Sequence, residues 1–235
     1  MRTIVYGNGK SRQKWNVNEK LDDVVTWGCN RIFNDVKVDN LVAVDYHVQH
    51  LIYESGYAHE NKCWFADWNK LPRYFHDTIR HMYEYTNIIE NKRGNKKQCV
   101  INGKQDEPNK GLYITWIDED DRVRDIDIPR EWCSGTTAIH LACQQGASEI
   151  YLMGFDLSEN PLNNVYEEFQ RGQKMDSDPH RFCHRSDWAN EMKTVIQEFR
   201  DTQFIWIEPH EQSIKFDMNN LTYDTYENIR RKICR

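Results

Sequence analysis

The residues Cys133-Ser-Gly-Thr-Thr-Ala-Ile-His-Leu-Ala142 and Glu149-Ile-Tyr-Leu-Met-Gly-Phe-Asp156 decide the fold of this 235-residue chain. Small residues at the beginning of the first stretch open a helix, which is predicted to end at Gly146. The second stretch is an apolar strand that finishes in Gly-Phe-Asp. A small-residue turn, a helix and a buried strand in this order predict one half of a nucleotide-binding α/β fold.

Two turns in the sequence favour the binding of an anion. A helix N-terminus presents unpaired N–H groups and the positive end of a dipole, and the small residues Ser134 and Gly135 let a phosphate approach it closely. A second turn, Gly7-Asn8-Gly9-Lys10-Ser11, follows the predicted strand Thr3–Tyr6. Two such turns predict a nucleotide between them. Two alternatives need no ligand: Ser134 as a helix N-cap, and Gly7 to Gly9 as a simple tight turn.

Composition excludes several classes of protein. The net charge is −6, and the chain has no long run of charges of one sign. Both observations argue against a nucleic-acid backbone as a partner. No apolar run resembles a signal peptide or a membrane span, so we expect a cytoplasmic protein with no integral membrane segment.

The seven cysteines fit reduced thiols. His180, Cys183 and His184 lack the fourth ligand of a structural zinc site, so we predict no metal site.

Short apolar runs joined by polar segments predict a Rossmann-like α/β fold, with a mostly parallel sheet and helices on both faces. We predict a single domain over residues 1–235, with a β-hairpin insertion at 91–129 and a lid-like loop at 157–183. The hairpin is expected to pair Gly111–Ile117 with Val123–Ile128 across an acidic turn. The other predicted elements are strands at Asp23–Trp27, Leu41–Asp45, Glu149–Met153 and Gln203–Ile207, and helices at 71–85, 185–200 and 223–233.

The order of these motifs resembles a known family. Gly7-Asn8-Gly9-x-Ser11, Cys29-Asn30-Arg31-Ile32-Phe33, Ser134-Gly135, Gly154-Phe155-Asp156 and His184 before a late helix resemble the bacterial, Campylobacter-type sialyltransferases. More loosely, they resemble the wider group of Rossmann-like proteins that contains archaeal 6-hydroxymethylpterin pyrophosphokinases. The resemblance covers most of the chain outside the hairpin, which has no counterpart and is a candidate for a different acceptor site or a homo-oligomer contact.

The resemblance implies a glycosyltransferase that moves a sugar from a CMP-type nucleotide-sugar donor to a hydroxyl of a glycan or another acceptor. It implies that no cofactor or metal is required, and that His184 is the general base. A neutral imidazole at a helix start suits that role, because the dipole disfavours its protonation. Tyr166 in the lid would stabilise the leaving phosphate, with Arg171, Lys174 and Arg181 as electrostatic substitutes for a second tyrosine. The implied nucleotide-binding residues are Gly7, Asn8, Gly9, Ser11, Asn30, Arg31, Ser134 and Gly135.

Two strand-end aspartates leave other functions open. Asp45-Tyr46-His47 stands where the family has an Asn-Pro step, and Asp45 and Asp156 are placed where a carboxylate would contact a ribose or a metal. As magnesium ligands they would support a pyrophosphokinase-like phosphotransferase, in which His184 has no role. A non-catalytic nucleotide-binding protein of the same fold is the third alternative.

Overall fold

The computed structural model describes residues 1–66, 68–71, 86–90, 97–102, 111–116, 122–128, 132–157, 164–166, 185–209, 211 and 213–234. The chain groups into two compact units. The first unit comprises Met1–Asp39 and Trp132–Arg235, and the second comprises Asn40–Glu131. The prediction of a single domain stays a prediction.

The described elements alternate between strands and helices for much of the chain. The strands are β1 (Arg2–Tyr6), β2 (Val24–Cys29), β3 (Asn40–Ala43), β4 (Cys63–Phe65), β5 (Trp68–Leu71), β6 (Thr86–Glu90), β7 (Lys97–Asn102), β8 (Gly111–Trp116), β9 (Val123–Asp125), β10 (Glu149–Met153), β11 (Gln203–Ile207) and β12 (Leu221–Asp224). The helices are α1 (Tyr46–Glu54), α2 (Tyr57–Glu60), α3 (Ser134–Gln144), α4 (Arg185–Glu198) and α5 (Tyr226–Ile233). Short 3₁₀ helices cover Lys10–Lys14 and Asn30–Asn34.

The first unit is built on a parallel sheet in the order β12-β11-β10-β1-β2. Each of these neighbouring pairs is parallel, so all five strands end at the same edge of the sheet. Strand β1 lies in the middle, with Tyr6 opposite Met153 on one side and Gly28 on the other. In parallel sheets ligands bind outside the carboxyl ends of the strands, so this edge is where a site is expected.

Both faces of this sheet are covered. Consecutive residues of a strand point to opposite faces, and Thr3, Ile4, Val5 and Tyr6 are all 1 % exposed or less. Such burial on both sides is typical of parallel strands, which read as continuous apolar runs. Helix α3 packs against β1, β2 and α4. These observations confirm the predicted α/β class with a parallel sheet.

The second unit has two groups of strands. Strand β4 pairs in parallel with β3 and β9, and a separate four-stranded sheet has the order β5-β8-β7-β6. In that sheet β6–β7 and β7–β8 are antiparallel, whereas β5–β8 is parallel. The insertion therefore contains a hairpin of consecutive strands, β7 and β8.

The predicted hairpin partners were wrong. Strand β8 pairs with β7 and β5, and Val123–Asp125 instead forms β9 beside β4. Alternation of polar and apolar residues indicates a strand, but it does not specify which strand lies beside it.

Most predicted elements of the first unit are confirmed, some to the residue. Strands β10 and β11 have the predicted bounds, and α3 begins at Ser134. The predicted helix at 223–233 was wrong at its start, because Leu221–Asp224 is strand β12, paired with β11. Helix α5 begins only after Thr225, whose hydroxyl caps it by accepting a hydrogen bond from the Asn228 N–H.

Two predicted segments fall largely outside the described residues. Of the predicted helix at 71–85 the structure describes only Leu71, which ends β5. Of the lid-like loop at 157–183 it describes Leu157 and residues 164–166. His184, Arg171, Lys174 and Arg181 also lie outside the described residues, whereas α4 begins directly after His184.

Candidate functional site

The Gly7-Asn8-Gly9 turn packs tightly against the loop that follows β10. The Gly7 N–H donates to the Met153 carbonyl at 2.7 Å, and the Gly9 N–H donates to the Gly154 carbonyl at 2.8 Å. A Cβ on Gly7 would lie 2.5 Å from the Gly154 oxygen, and one on Gly9 would lie 2.5 Å from the Asp156 carboxylate. Both glycines are therefore required by the packing of the two loops.

Asp156 closes this turn with its side chain. It is 3 % exposed, and its Oδ2 accepts a hydrogen bond from the Ser11 N–H at 3.0 Å. The carboxylate thus occupies the beginning of the 3₁₀ helix Lys10–Lys14, the place where the sequence predicted a phosphate. A second anion beside it would be repelled. The turn is suited instead to the uncharged base and ribose of a nucleotide.

Phe155 connects this turn to the start of α3. A Cβ on Gly7 would lie 3.3 Å from Phe155 Cδ2, and one on Gly135 would lie 3.1 Å from Phe155 Cε1. The Phe155 carbonyl accepts a hydrogen bond from Trp206 Nε1 at 3.0 Å. The structure therefore brings the two predicted turns together, one against each edge of a single aromatic ring.

Cys133 is the N-cap of α3. Its Sγ accepts a hydrogen bond from the Thr136 N–H at 3.5 Å, and its own N–H donates to Glu191 Oε2 at 3.1 Å. The alternative that Ser134 is the N-cap was wrong: Ser134 is the first helical residue and is 2 % exposed. Burial is the main cause that raises the pKa of the Cys133 thiol, and the Glu191 charge adds to it.

Two asparagines follow the adjacent strands β1 and β2. Asn8 Nδ2 donates to the Cys29 carbonyl at 3.3 Å, which ties the two strand ends together. Asn30 has a φ of 54°, in the left-handed region that asparagine tolerates better than most residues. The Oδ1 atoms of both side chains are buried, and within the described part of the chain neither has a hydrogen-bond partner. An unmet buried acceptor costs about 1–3 kcal/mol, so a ligand that donates to these oxygens would recover that cost.

A buried arginine directly after the turn forms an ion pair. Arg12 is 2 % exposed, and its Nη2 donates to Asp35 Oδ2 at 3.0 Å and to the Tyr166 hydroxyl at 3.1 Å. The Tyr166 hydroxyl donates in turn to the same Asp35 oxygen at 2.7 Å, and the Val165 N–H donates to the Asn8 carbonyl at 2.8 Å. The predicted phosphate donor Tyr166 is therefore held against the turn.

The network affects the chemistry of Tyr166. Burial, followed by the hydrogen bond to Asp35, raises the pKa of its phenol above the ordinary value, although the Arg12 charge opposes the shift. The hydroxyl therefore stays protonated at neutral pH, with its one hydrogen donated to Asp35. Sequence reasoning missed Arg12 and Asp35, because an arginine in a polar stretch has the pattern of a surface residue.

Two further predicted residues, Arg31 and Asp45, lie in different units of the chain. Arg31 is half-buried in the 3₁₀ helix after β2. Asp45 belongs to the second unit, where it is the N-cap residue of α1 and its carbonyl accepts from the Val48 and Gln49 N–H groups at 3.0 Å. Within the described ranges no three His, Cys, Asp or Glu side chains are grouped so that they could hold a metal ion.

The fold and the site define a Rossmann-like α/β protein with a candidate ligand site at the carboxyl edge of a parallel sheet. Neither a protein-family model nor a curated protein matches the chain. Among solved structures the chain is similar to the sialyltransferase CST-II, determined in complex with trisaccharide acceptor and CMP. The identity is 11 %, the TM-score is 0.44, and the match covers 88 % of this chain and 80 % of that one. In the described residues no helix combines the length and the apolar character that crossing a membrane requires.

Proposed function

We propose that this protein is a glycosyltransferase that transfers a sugar from a CMP-type nucleotide sugar to a hydroxyl acceptor. The motif order in the sequence supports the class of reaction. One structural observation carries the donor assignment: the two buried amide oxygens of Asn8 and Asn30 at the ends of adjacent parallel strands.

The chemistry of a pyrimidine nucleoside fits these two oxygens. Cytosine has an exocyclic amino group and ribose has hydroxyl groups, and each can donate to an amide oxygen. The Asp156 carboxylate at the same turn favours such donors and disfavours phosphate. In this proposal the nucleoside lies on the Gly7–Gly9 turn and its phosphate lies elsewhere.

The leaving phosphate is assigned to the start of α3 and to Tyr166. The helix dipole favours an anion at the start of α3, where the Phe155 ring packs against Gly135. In this proposal the Tyr166 hydroxyl turns its single hydrogen from Asp35 to the phosphate, beside the positive charge of Arg12. These groups would stabilise the charge that develops as the sugar leaves CMP.

His184 is proposed as the base that accepts the proton of the acceptor hydroxyl. It directly precedes α4, a helix of 14 residues, and the dipole at such a position keeps an imidazole neutral. A His184→Ala variant should lose transfer by a factor of about 10²–10⁴ and keep its CMP affinity. His180→Ala, four residues earlier, serves as the matched control and should keep both.

The decisive assay measures sugar transfer and donor hydrolysis from CMP-sugars with and without magnesium. Metal-independent turnover that depends on His184 supports the proposal. Magnesium-dependent turnover of ATP would contradict it and indicate a phosphotransferase. Binding of CMP without turnover of any donor would indicate a non-catalytic protein.

A further inference from the structure

A second cleft opens at the same edge of the parallel sheet in the first unit. It has a volume of about 520 Å³ and lies where β11 and β12 end. Its lining includes Lys14, Glu208, Lys215, Tyr223 and Asn228. None of these residues belongs to the candidate nucleotide site.

Tyr223 presents a fixed aromatic ring to this cleft. It is 41 % exposed, yet its hydroxyl accepts from the Phe216 N–H and donates to the Phe216 carbonyl, both at 2.9 Å. Its ring stacks on the buried Trp206, with centroids 5.7 Å apart and an interplanar angle of 27°. An exposed ring that is held on two sides is pre-organised, so a ligand that packs on it loses little conformational entropy.

Hydrogen-bonding groups with fixed positions surround the ring. Glu208 Oε2 accepts from Lys14 Nζ at 2.7 Å, and Glu208 Oε1 accepts from the Tyr226 N–H at 3.0 Å. Glu208 has a φ of 34°, a strained conformation for a residue other than glycine. Strain of this kind concentrates at functional sites.

The charges in the cleft are balanced. Lys14 pairs with Glu208, and Asp224, also in the lining, pairs with Lys232 at 2.9 Å. Lys215 lies with its Nζ 5.7 Å from the centroid of the Tyr223 ring. A highly charged ligand would have to compete with these pairs. An uncharged ligand with many hydroxyl groups would bind between them.

A saccharide has this chemistry, because its ring combines an apolar C–H face with a rim of hydroxyl groups. We propose that the cleft is a saccharide-binding subsite, with Tyr223 as the platform for the sugar ring and Glu208 and Asn228 as partners of its hydroxyls. Lys14 lies in the 3₁₀ helix that begins directly after Gly9, so the cleft adjoins the donor turn. The further step, that the bound saccharide is the acceptor of the reaction, rests on the proposed function.

Saturation-transfer difference NMR on the full chain, without nucleotide, tests the subsite. Lactose, maltose and cellobiose are the probes, and we expect saturation of at least one. Tyr223→Ala should weaken that binding about tenfold, from the loss of the aromatic contact. Asn228→Ala, at an exposed position of the lining, tests the same cleft if Tyr223→Ala does not fold, and it should also weaken binding because it removes a partner of the sugar hydroxyls. Glu227→Gln, an exposed change outside the cleft on α5, is the matched control and should bind like the wild type.

Two results would overturn this assignment: no saturation of any of the three sugars by the wild-type protein, or equal binding by the wild type and the cleft variant. The measurement of CMP binding tests the proposed donor independently of the saccharide subsite. Sugar binding without CMP binding would contradict the proposed donor alone, and CMP binding without sugar binding would contradict the subsite alone.

Discussion

The Asp156 carboxylate accepts a hydrogen bond from the Ser11 N–H at 3.0 Å, although 145 residues separate the two in the chain. This contact joins the turn after β1 to the loop after β10. Because the two strands are neighbours and parallel, their ends meet at one edge of the sheet. The candidate site is therefore organised by a carboxylate where the sequence alone indicated a phosphate.

Replacement of Asp156 by alanine should lower the free energy of unfolding by about 1–3 kcal/mol, because it leaves the Ser11 N–H without its acceptor. Asp156→Asn keeps an acceptor oxygen and should cost less. Urea unfolding followed by tryptophan fluorescence measures both. Equal losses in the two variants would show that the charge, and not the hydrogen bond, is the stabilising feature.

The ion pair between Arg12 and Asp35 should contribute measurably to stability. Asp35→Asn leaves the buried guanidinium without its counter-charge and should destabilise the protein by about 1–3 kcal/mol. Tyr166→Phe removes one hydroxyl from the same network and should cost about 1 kcal/mol. Because Arg12 and Tyr166 both donate to the same Asp35 oxygen, the double variant should lose less than the two single losses added together. Strict additivity in the unfolding measurements would contradict a coupled network.

Two thiols should resist alkylation in the folded protein. Burial raises the pKa of Cys143 to about 12, and burial with the Glu191 charge raises the pKa of Cys133 as well. At pH 8 both are almost entirely thiols, and the thiolate is the reactive form. Peptide mapping after brief iodoacetamide treatment should find these two unmodified, and labelled once the protein is unfolded in urea. Rapid labelling of Cys133 in the native state would contradict its raised pKa.

The stability contributed by Glu208 should depend on pH in a defined direction. The hydrogen bond from Lys14 is the main cause that lowers the pKa of Glu208 below its ordinary value of 4.5. A lowered folded-state pKa means that the contribution is present above the unfolded-state pKa and is lost as the pH falls through the folded-state pKa. The wild type should therefore be more stable than Glu208→Gln at pH 7, and the difference should shrink below a pH of about 4.5. A difference that grows in acid would contradict the assignment.

The sequence predicted the strands β1, β10 and β11 of the first unit well because they are buried on both faces. Continuous apolar runs such as Glu149–Met153 and Gln203–Ile207 have one structural solution in a parallel sheet, so even their bounds were correct. Strand β12 was missed because only Leu221 in it is buried, and the exposed Thr222 and Tyr223 give no apolar run.

The sequence indicated which residues lie at the strand ends around the candidate site, but not which side chains contact one another there. Glycines and asparagines at strand ends are visible in the sequence, and the structure places them together around Phe155. The Arg12–Asp35 pair was not predictable, since it depends on which loops meet across the sheet edge. The same reason explains the hairpin: strand pairing is a tertiary property that alternation does not encode.

Calorimetric titration of CMP into the wild-type protein and an Asn30→Gly variant, without magnesium, tests whether the Asn30 amide binds the nucleoside. Glycine keeps the left-handed backbone of Asn30 and removes only its amide. Asn34→Ala, at an exposed position of the same 3₁₀ helix, is the matched control. We predict metal-independent binding of CMP that weakens about tenfold or more in Asn30→Gly and is unchanged in Asn34→Ala. No binding of CMP by the wild type, or equal binding by the wild type and Asn30→Gly, would contradict the proposed role of Asn30 in binding the nucleoside.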